Sequence, residues 1–372
     1  MTSLITAALI VRDEAAFLPD CLASIAGTVD EIVVVDTGSA DDSPAIAAGF
    51  GARVYHQPWR DDFAAARNTA LGYSTGEWIL YIDADERLAP VGRPQLEELL
   101  TGADEVAFRL LLQPNSLATP YREYRLWRND QRIRFVGAMH EKVVPSIHAV
   151  ADADGRPIGV CDLLLTHVGY EGDQTRKHHR NLPLLRSQLR AEPGNLFNWH
   201  HLYRVLAGLG ESGEAERVLR LAVGLARSQP GIDPAGVLAY GDLIALQLTR
   251  GQDAGPLLDE AQARYPRNWQ LVWLQSRAQV AAGRYAAAIG ALDRLLAVEV
   301  AGLPDEGPSY DRRLFGELAH EGRGLCLFRL GRYREAADAY AAAARCAPAD
   351  PGYPVKRDLA LARCQREEAG VS

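Results

Sequence analysis

Short apolar runs alternate with amphipathic stretches over the first hundred residues, and this alternation limits the fold more than any other feature of the chain. Residues 4–11 are apolar, and in residues 17–25 the apolar side chains recur at helical spacing. Such alternation is typical of parallel strands joined by helical crossovers. We therefore predict an α/β sheet whose ligand site lies beyond the carboxyl ends of its strands. The predicted strands and helices, in chain order, are residues 4–11, 17–25, 31–35, 41–50, 53–56, 62–73 and 78–82.

The rest of the chain contains two regions with different residue patterns. Residues 105–169 have an irregular strand-like pattern, with predicted strands at 106–112, 132–136 and 158–168. After Lys177 the sequence is rich in Ala and Leu, and it predicts paired helices. Glycines that follow one apolar helix and precede another mark a repeat that resembles the tetratricopeptide repeat, and a generic helical bundle is the alternative. These glycines are Gly210, Gly251, Gly283 and Gly331.

Composition excludes several classes of function. The 372 residues carry 40 Lys and Arg against 48 Asp and Glu, a net charge of −8, so we expect neither a nucleic-acid partner nor an anionic membrane surface. The apolar run at 4–11 is too short to span a membrane. The five cysteines are odd in number and form no Cys-x-x-Cys pair, which argues against a disulfide scaffold and a zinc ribbon. We expect a cytoplasmic protein without a membrane span.

Polar residues end the second predicted strand, in Asp36-Thr37-Gly38-Ser39. No glycine-rich loop follows the first strand, which disfavours dinucleotide binding and Walker-type nucleotide hydrolysis. An acid at the carboxyl end of a strand faces the cleft of such a sheet. We therefore predict that Asp36 accepts hydrogen bonds from a base or a ribose. A strand-to-helix turn with an acidic cap is the alternative.

The segment 78–86, whose sequence is WILYIDADE, places two acids after an apolar strand. If the strand continues to residue 85, its period of two puts Asp83 and Asp85 on one side. Carboxylates in that position can hold a divalent cation that in turn holds a diphosphate. A solvated acidic turn is one alternative. A haloacid-dehalogenase nucleophile is another, but that family has Thr or Val where this chain has Arg87.

Four motifs in this order resemble the family 2 glycosyltransferases, which are inverting enzymes of GT-A fold. They are residues 10–14 (IVRDE), 33–41 (VVVDTGSAD), 66–68 (ARN) and 83–85 (DAD). The resemblance is closest to a bacterial branch with a tetratricopeptide tail, which includes peptide S-glycosyltransferases. It implies a Rossmann-like GT-A domain for nucleotide-diphospho-sugar transfer over residues 1–180 and an all-α tetratricopeptide-like domain over 181–372. The absence of a Gln-x-x-Arg-Trp motif speaks against a processive synthase.

The resemblance also implies roles for individual residues. Glu14 and Asp36 would contact the uracil and ribose of a UDP-sugar, with Ser39 beside them. Asp85 and His167 would bind Mn²⁺ or Mg²⁺, although His167 could instead be a core histidine. The remaining residues expected at the nucleotide are Arg67, Asn68, Asp83 and Ala84, and the alternative for Arg67 is a surface helix residue.

Residues 125–129 and 135–141 look like the second motif cluster of the same branch. A base is needed because the acceptor must lose its proton as it attacks the anomeric carbon. Glu141 is the first candidate and His140 the second, and an ion pair between Glu141 and Lys142 or an arginine is the alternative. The basic residues 176–180 could lie over the leaving diphosphate or form the polar face of a linking helix.

The sequence therefore predicts a metal-dependent, inverting glycosyltransferase. Its donor is a nucleotide sugar, and its acceptor is a peptide, a natural product or another small molecule, or a saccharide. The alternative is a non-catalytic repeat scaffold with a degenerate nucleotide-sugar domain. Nucleotidyl transfer is disfavoured by the missing glycine-rich loop. The repeats offer a surface for a partner, and we expect a homodimer formed through them.

Overall fold

The computed structural model describes residues 4–169, 174–304, 308–368 and 370. The chain divides into two compact units. The first holds the residues up to Arg176 together with 304–309, and the second holds 177–303 and the residues from Tyr310 onward. The predicted boundary at 180/181 therefore falls inside a helix that spans Thr175–Ala191.

In the part of the chain that the structure describes, the strands of the first unit form one sheet. They are β1 (Ile5–Val11), β2 (Glu31–Asp36), β3 (Arg53–His56), β4 (Trp78–Tyr81), β5 (Glu86–Leu88), β6 (Ala107–Gln113), β7 (Tyr121–Arg128) and β8 (Ile158–His167). Their order is β3-β2-β1-β4-β7-β6-β8-β5. Strands β1 to β4 are parallel, whereas β7 is antiparallel to β4 and β6, and β5 is antiparallel to β8. The predicted α/β fold is confirmed.

Helices cover both faces of this sheet. They are α1 (Leu18–Ile25), α2 (Ser43–Gly49), α3 (Phe63–Tyr73), α4 (Arg93–Leu100) and α5 (Val144–Asp154). Successive side chains of a strand point to opposite faces. Accordingly Leu9 of β1 packs in one buried cluster with Leu22 of α1, whereas Ala8 packs in another with Leu71 of α3. Burial of both faces explains why β1, β4 and the middle of β2 are mostly apolar, whereas β3 at the edge of the sheet is partly exposed.

The carboxyl ends of β1, β2 and β4 meet at one edge of the sheet. Val11 pairs with Asp36, and Ala8 pairs with Tyr81. The polar segments that follow these strands therefore start next to one another, as the sequence predicts.

Two details of the predicted strands are wrong. Strand β4 ends at Tyr81, and residues 82–85 lead through a turn into β5, so Asp83 and Asp85 are not alternate residues of one strand. Residues 132–136 form no strand, and only Val136 makes an isolated bridge, to Lys142. Strands β5 and β7, which pair with β8 and β4, are absent from the sequence prediction.

The second unit is helical in its described residues. Its longer helices are α6 (Thr175–Ala191), α7 (Leu196–Gly208), α8 (Ser212–Ser228), α9 (Gly236–Thr249), α10 (Gly255–Arg264), α11 (Trp269–Ala281), α12 (Tyr285–Leu296), α13 (Glu317–Arg329), α14 (Tyr333–Cys346) and α15 (Gly352–Glu368). Two short 3₁₀ helices, Val300–Gly302 and Arg312–Phe315, precede α13.

The predicted repeat glycines lie between paired helices. Gly283 separates α11 from α12 with a φ of 70°, and Gly331 separates α13 from α14 with a φ of 78°. A left-handed residue ends a helix and reverses the chain, and glycine adopts that conformation without steric cost. Among the described residues, no helix of either unit is both long and apolar enough to cross a membrane.

Candidate active site

Hydrogen bonds join the loops that follow β1 and β2. The Asp13 N–H donates to Ser39 Oγ (2.9 Å), and the Ala40 N–H donates to the Asp13 carboxylate (2.7 Å). The Glu14 N–H donates to Ser43 Oγ (2.8 Å). Asp13 has a left-handed φ of 55°, which turns the chain toward the second loop. The two loops form one connected wall at the carboxyl edge, and it contains the predicted residues Glu14 and Ser39.

Asp36 is buried at the end of β2 and shapes the turn that follows it. Its carboxylate accepts the Gly38 N–H (3.2 Å) and the Ser39 N–H (3.1 Å), as in an Asx turn. Asp36 Oδ2 also lies 3.2 Å from Nδ1 of His56, whose side chain is 69% exposed. Much of the carboxylate of Asp36 is thus engaged within the protein, while the ring of His56 beside it faces solvent.

Arg67 of α3 connects two of the predicted carboxylates. Its Nη1 donates to Asp83 Oδ1 (3.0 Å), and its Nε donates to Glu141 Oε1. The guanidinium lies over the Tyr81 ring, 4.3 Å from the centroid, and the Tyr81 hydroxyl donates to Asp83 Oδ2 (3.1 Å). Burial alone would raise the pKa of Asp83, but the charges of Arg67 and Arg125 outweigh burial and lower it. Asp83 is therefore an anion whose two oxygens are both engaged.

A second buried arginine, Arg125 of β7, completes this cluster. It lies over the Tyr81 ring at 4.2 Å, and its Nη1 is 3.6 Å from Asp83 Oδ2. Its Nη2 donates to Glu86 Oε1 (2.7 Å). Glu86 is fully buried, and burial raises the pKa of its carboxyl to about 7 against the opposing effect of Arg125. Ala84, between the two aspartates, is also buried, and its carbonyl accepts from Arg87 Nη1 (3.0 Å).

Asp85 contacts the end of β8. Its Oδ2 lies 3.3 Å from His167 Nε2, and both side chains are mostly buried. The Val168 N–H donates to the Asp85 carbonyl (2.8 Å), and the Gly169 N–H donates to His167 Nδ1 (3.2 Å). The structure therefore brings together the two residues predicted to bind a metal, through the pairing of β5 with β8.

The chemistry of this pair fits a divalent cation. Carboxylate oxygen and imidazole nitrogen are donors that Mn²⁺ accepts, and Mg²⁺ takes carboxylate oxygens. In the described parts of the chain no three His, Cys, Asp or Glu side chains converge on one metal position. Most ligands would thus come from diphosphate and water, as is common for nucleotide-bound Mg²⁺.

The charges around the turn and the tautomer of His167 also affect how this pair could bind a cation. Two buried arginines, Arg67 and Arg125, bind three of the four carboxylates in and beside the turn, and Asp85 lies against His167 instead. These carboxylates are Asp83, Asp85, Glu86 and Glu141. Because the Gly169 N–H donates to Nδ1, the neutral His167 ring carries its proton on Nε2. Ligation through Nε2 would require the other neutral tautomer, with the proton on Nδ1 and the Gly169 hydrogen bond given up.

The predicted base lies in the loop of residues 133–142. The Asn68 Nδ2 donates to the Phe135 carbonyl and the Phe135 N–H donates to Asn68 Oδ1, both at 2.9 Å. Asn68 thereby holds the loop, and both ends of its amide are directed to protein backbone. Glu141 is largely buried beside Arg67. Burial, aided by the charge of Lys142, lowers the pKa of His140 to about 4, so its ring is neutral at pH 7.

Sequence reasoning assigns no role to four residues that shape the site: His56, Tyr81, Glu86 and Arg125. Tyr81 and Glu86 lie next to the two-aspartate motif in the sequence, and this position could have identified them as site residues. Arg125 lies in one of the motif clusters but about forty residues from its partners. His56 ends β3, and its pairing opposite Asp36 in the sheet could have identified it.

Comparison with known families agrees with this architecture. Residues 6–136 match the model described as glycosyl transferase family 2. Residues 243–306 and 310–351 match the tetratricopeptide repeat.

Individual relatives are similar to parts of the chain. A TPR repeat-containing protein of Synechococcus elongatus is 36% identical over 231 residues, which cover 60% of this chain and 57% of that protein. The SPbeta prophage-derived glycosyltransferase SunS of Bacillus subtilis is 28% identical over 204 residues, which cover 52% of this chain and 47% of that protein. The chain thus spans about half the length of these relatives.

Among solved structures, glucosyl-3-phosphoglycerate synthase from Mycobacterium tuberculosis, in complex with phosphoglyceric acid, is 18% identical with a TM-score of 0.37. That alignment covers 50% of this chain and 79% of the synthase chain. The family matches and the sheet together give the assignment. The chain carries a region that matches glycosyl transferase family 2, on a mixed α/β sheet, followed by a region that matches the tetratricopeptide repeat.

Proposed function

We propose that this protein is a metal-dependent, inverting glycosyltransferase. It would move a sugar from a nucleotide-diphosphate donor, expected to be a UDP-sugar, to a peptide, small-molecule or saccharide acceptor. One observation carries the proposal: the turn Asp83-Ala84-Asp85 links the buried arginine cluster to the Asp85–His167 pair. The turn lies at the edge where β1, β2 and β4 end, which is where ligands bind in open α/β sheets. The match of residues 6–136 to the family supports the same activity.

The wall formed by the first two loops would bind the nucleoside. Glu14, Asp36 and Ser39 lie in this wall or at its base. A carboxylate has about four acceptor positions, and Asp36 already uses part of this capacity for Gly38, Ser39 and His56. Asp36 would therefore contribute a fixed acceptor whose orientation does not depend on the ligand.

The other half of the site would bind the diphosphate. Asp85 and His167 would hold Mn²⁺ or Mg²⁺, and the bound cation would supply neutralisation of the charge that develops on the leaving diphosphate. Arg67 and Arg125 keep Asp83 ionised and fix the turn that presents Asp85.

Glu141 is the proposed base. Arg67 holds Glu141 Oε1 and thus orients the carboxylate. The acceptor would pass its proton to Glu141 as it attacks the anomeric carbon, and the nucleoside diphosphate would leave from the opposite face, with inversion. His140 is the second candidate, and its mostly buried ring, with the charge of Lys142 beside it, is neutral at pH 7.

Calorimetry with UDP, with and without Mn²⁺, tests the proposal. We expect metal-dependent UDP binding that Asp85→Ala abolishes, together with transfer and donor hydrolysis. Asp104→Ala, which changes an exposed aspartate of the same unit, should bind as the wild type does. Glu141→Gln should bind UDP normally and transfer about 10² to 10⁴-fold more slowly. Equal UDP affinity in wild type and Asp85→Ala, with and without metal, would contradict the metal assignment, and a scaffold would show no metal-dependent binding.

We further propose that the protein acts in the cytoplasm as a homodimer formed through its helical unit. Its five cysteines are all free thiols, as is usual in a reducing compartment. Light scattering after size exclusion checks the dimer, which should have twice the 40.6 kDa mass of the chain. A species of 40.6 kDa at micromolar concentration would contradict it.

A further inference from the structure

Glu86 closes the turn of the two aspartates in two ways. Its backbone N–H donates to the Asp83 carbonyl (2.9 Å). Its side-chain Oε2 accepts the Asp83 backbone N–H at the same distance. Both polar groups of the Asp83 peptide backbone are thus bound by one residue, and the turn that presents Asp85 is held by main chain and side chain together.

The second oxygen of Glu86 anchors the turn to another strand. Oε1 accepts from Arg125 Nη2 (2.7 Å), and Arg125 is itself fixed over the Tyr81 ring. The pair is buried: the Glu86 side chain is 1% exposed and the Arg125 side chain 9%. Burying an ion pair contributes little net stability, and apolar residues of similar volume often serve a fold as well or better. The stability of the sheet alone therefore does not account for a carboxylate at this position.

Glu86 is also the point where the turn meets the strand that carries His167. Glu86 and His167 are register partners between β5 and β8, and the Val168 N–H donates to the Asp85 carbonyl. A shift of Glu86 along β5 would therefore change the spacing of Asp85 and His167. The 3.3 Å contact between Asp85 Oδ2 and His167 Nε2 depends on that spacing.

We propose that Glu86 is a positioning residue that sets the geometry of the Asp85–His167 pair and, through it, the affinity of the site for a divalent cation. This inference rests on the proposed function, which supplies the cation. Glu86 would itself contact neither cation nor substrate, because both of its carboxylate oxygens are bound within the protein. It acts through the Asp83 backbone, through Arg125 and through the β5–β8 register.

The test compares Glu86→Gln and Glu86→Leu with the matched control Glu31→Gln. Glu31 is a hydrogen-bonded, ion-paired glutamate at the opposite edge of the same sheet, where Arg53 and Thr75 bind it. The readout is Mn²⁺ affinity in the presence of UDP, measured from the electron paramagnetic resonance signal of free Mn²⁺. Unfolding temperature is recorded for every variant.

We expect Glu86→Leu to weaken Mn²⁺ binding by about 10 to 100-fold, the range found for residues that support metal ligands. Glu86→Gln keeps one acceptor for the Asp83 N–H, so its affinity should lie between those of Glu86→Leu and the wild type. Glu31→Gln should lower the unfolding temperature and leave Mn²⁺ affinity within about twofold of the wild type, because its hydrogen bonds lie away from the pair.

Each other outcome overturns the inference. Wild-type Mn²⁺ affinity in Glu86→Leu, or no recovery in Glu86→Gln relative to Glu86→Leu, removes the role of Glu86 while the proposed function stands. A wild-type protein that binds no Mn²⁺ overturns both proposals. Should Glu86→Leu fail to fold, the Mn²⁺ affinity of Glu86→Gln decides. Reduced affinity supports the inference, and wild-type affinity overturns it.

Discussion

The backbone of Gly169 passes directly over the carboxylate of Asp85. The substitution Gly169→Ala therefore tests whether the position of this carboxylate matters for ligand binding. An added Cβ would lie 2.0 Å from Asp85 Oδ2, 2.6 Å from its Cγ and 2.7 Å from its Cβ, whereas real Cβ contacts stay above 3.0 Å. The overlap is relieved only if Oδ2 moves by about 1 Å, and a misplacement of that size in an active site can cost roughly 10²-fold in rate. Rotating the carboxylate does not suffice, since the Asp85 Cβ also lies too close.

We expect Gly169→Ala to weaken Mn²⁺-dependent UDP binding by about 10²-fold, which corresponds to about 2.7 kcal/mol. Calorimetry gives the affinity, and thermal unfolding shows whether the unit remains folded. The control is Gly72→Ala in α3, where an added Cβ meets no atom within 4 Å. Alanine there should stabilise the helix by about 0.5 to 1 kcal/mol and leave UDP binding unchanged. A Gly169→Ala protein with wild-type affinity would refute the assignment of Asp85 as the ligand.

Two further predictions concern the loop that carries the proposed base. Asn68→Ala removes both hydrogen bonds to Phe135, so the free energy of unfolding should fall by about 2 kcal/mol. In steady-state kinetics kcat should fall while UDP affinity is kept, and weakened UDP binding would instead support the nucleotide contact implied by the sequence. For His140 the pKa is about 4 in the folded protein against 6.5 for an unperturbed side chain, so the unfolded chain binds more protons between these values. The stabilising contribution of neutral His140, up to about 3 kcal/mol, is therefore present above pH 6.5 and lost as the pH falls through 4. His140→Asn, which tolerates the left-handed φ of 52°, should lose less stability over that range in urea unfolding. An unchanged pH profile contradicts this prediction.

The order of strands and helices could be predicted from the sequence because it follows from burial. Parallel strands covered on both faces must be apolar throughout, and the helices between them must be amphipathic. The paired helices of the second unit follow from the same rule, with glycines at the reversals. The approximate location of Asp36, Asp83 and Asp85 follows as well, since each comes directly after such a strand.

The residue at which β4 ends could not be predicted from the apolar pattern. Ile82 is as buried as the strand residues before it, so the apolar run continues although β4 ends at Tyr81. What redirects the backbone is the pair of hydrogen bonds between Asp83 and Glu86. Hydrophobic patterning reports burial and carries no information about such a side-chain bond.

Side-chain contacts between residues of different strands could not be predicted from the sequence either. Whether Asp36 faces a ligand or its own turn depends on the angle of one side chain. The position of Arg125 over Tyr81 depends on β7 pairing antiparallel to β4, and no short-range pattern in the chain specifies that pairing.

Arg67 has a consequence for any attempt to divide the site into independent parts. One guanidinium serves both Asp83, on the side proposed for the donor, and Glu141, on the side proposed for the acceptor. Removing either carboxylate frees the arginine to strengthen its bond to the other. The energetic effects of single substitutions at Asp83 and Glu141 therefore cannot be summed, and only a double-mutant cycle through Arg67 can apportion them.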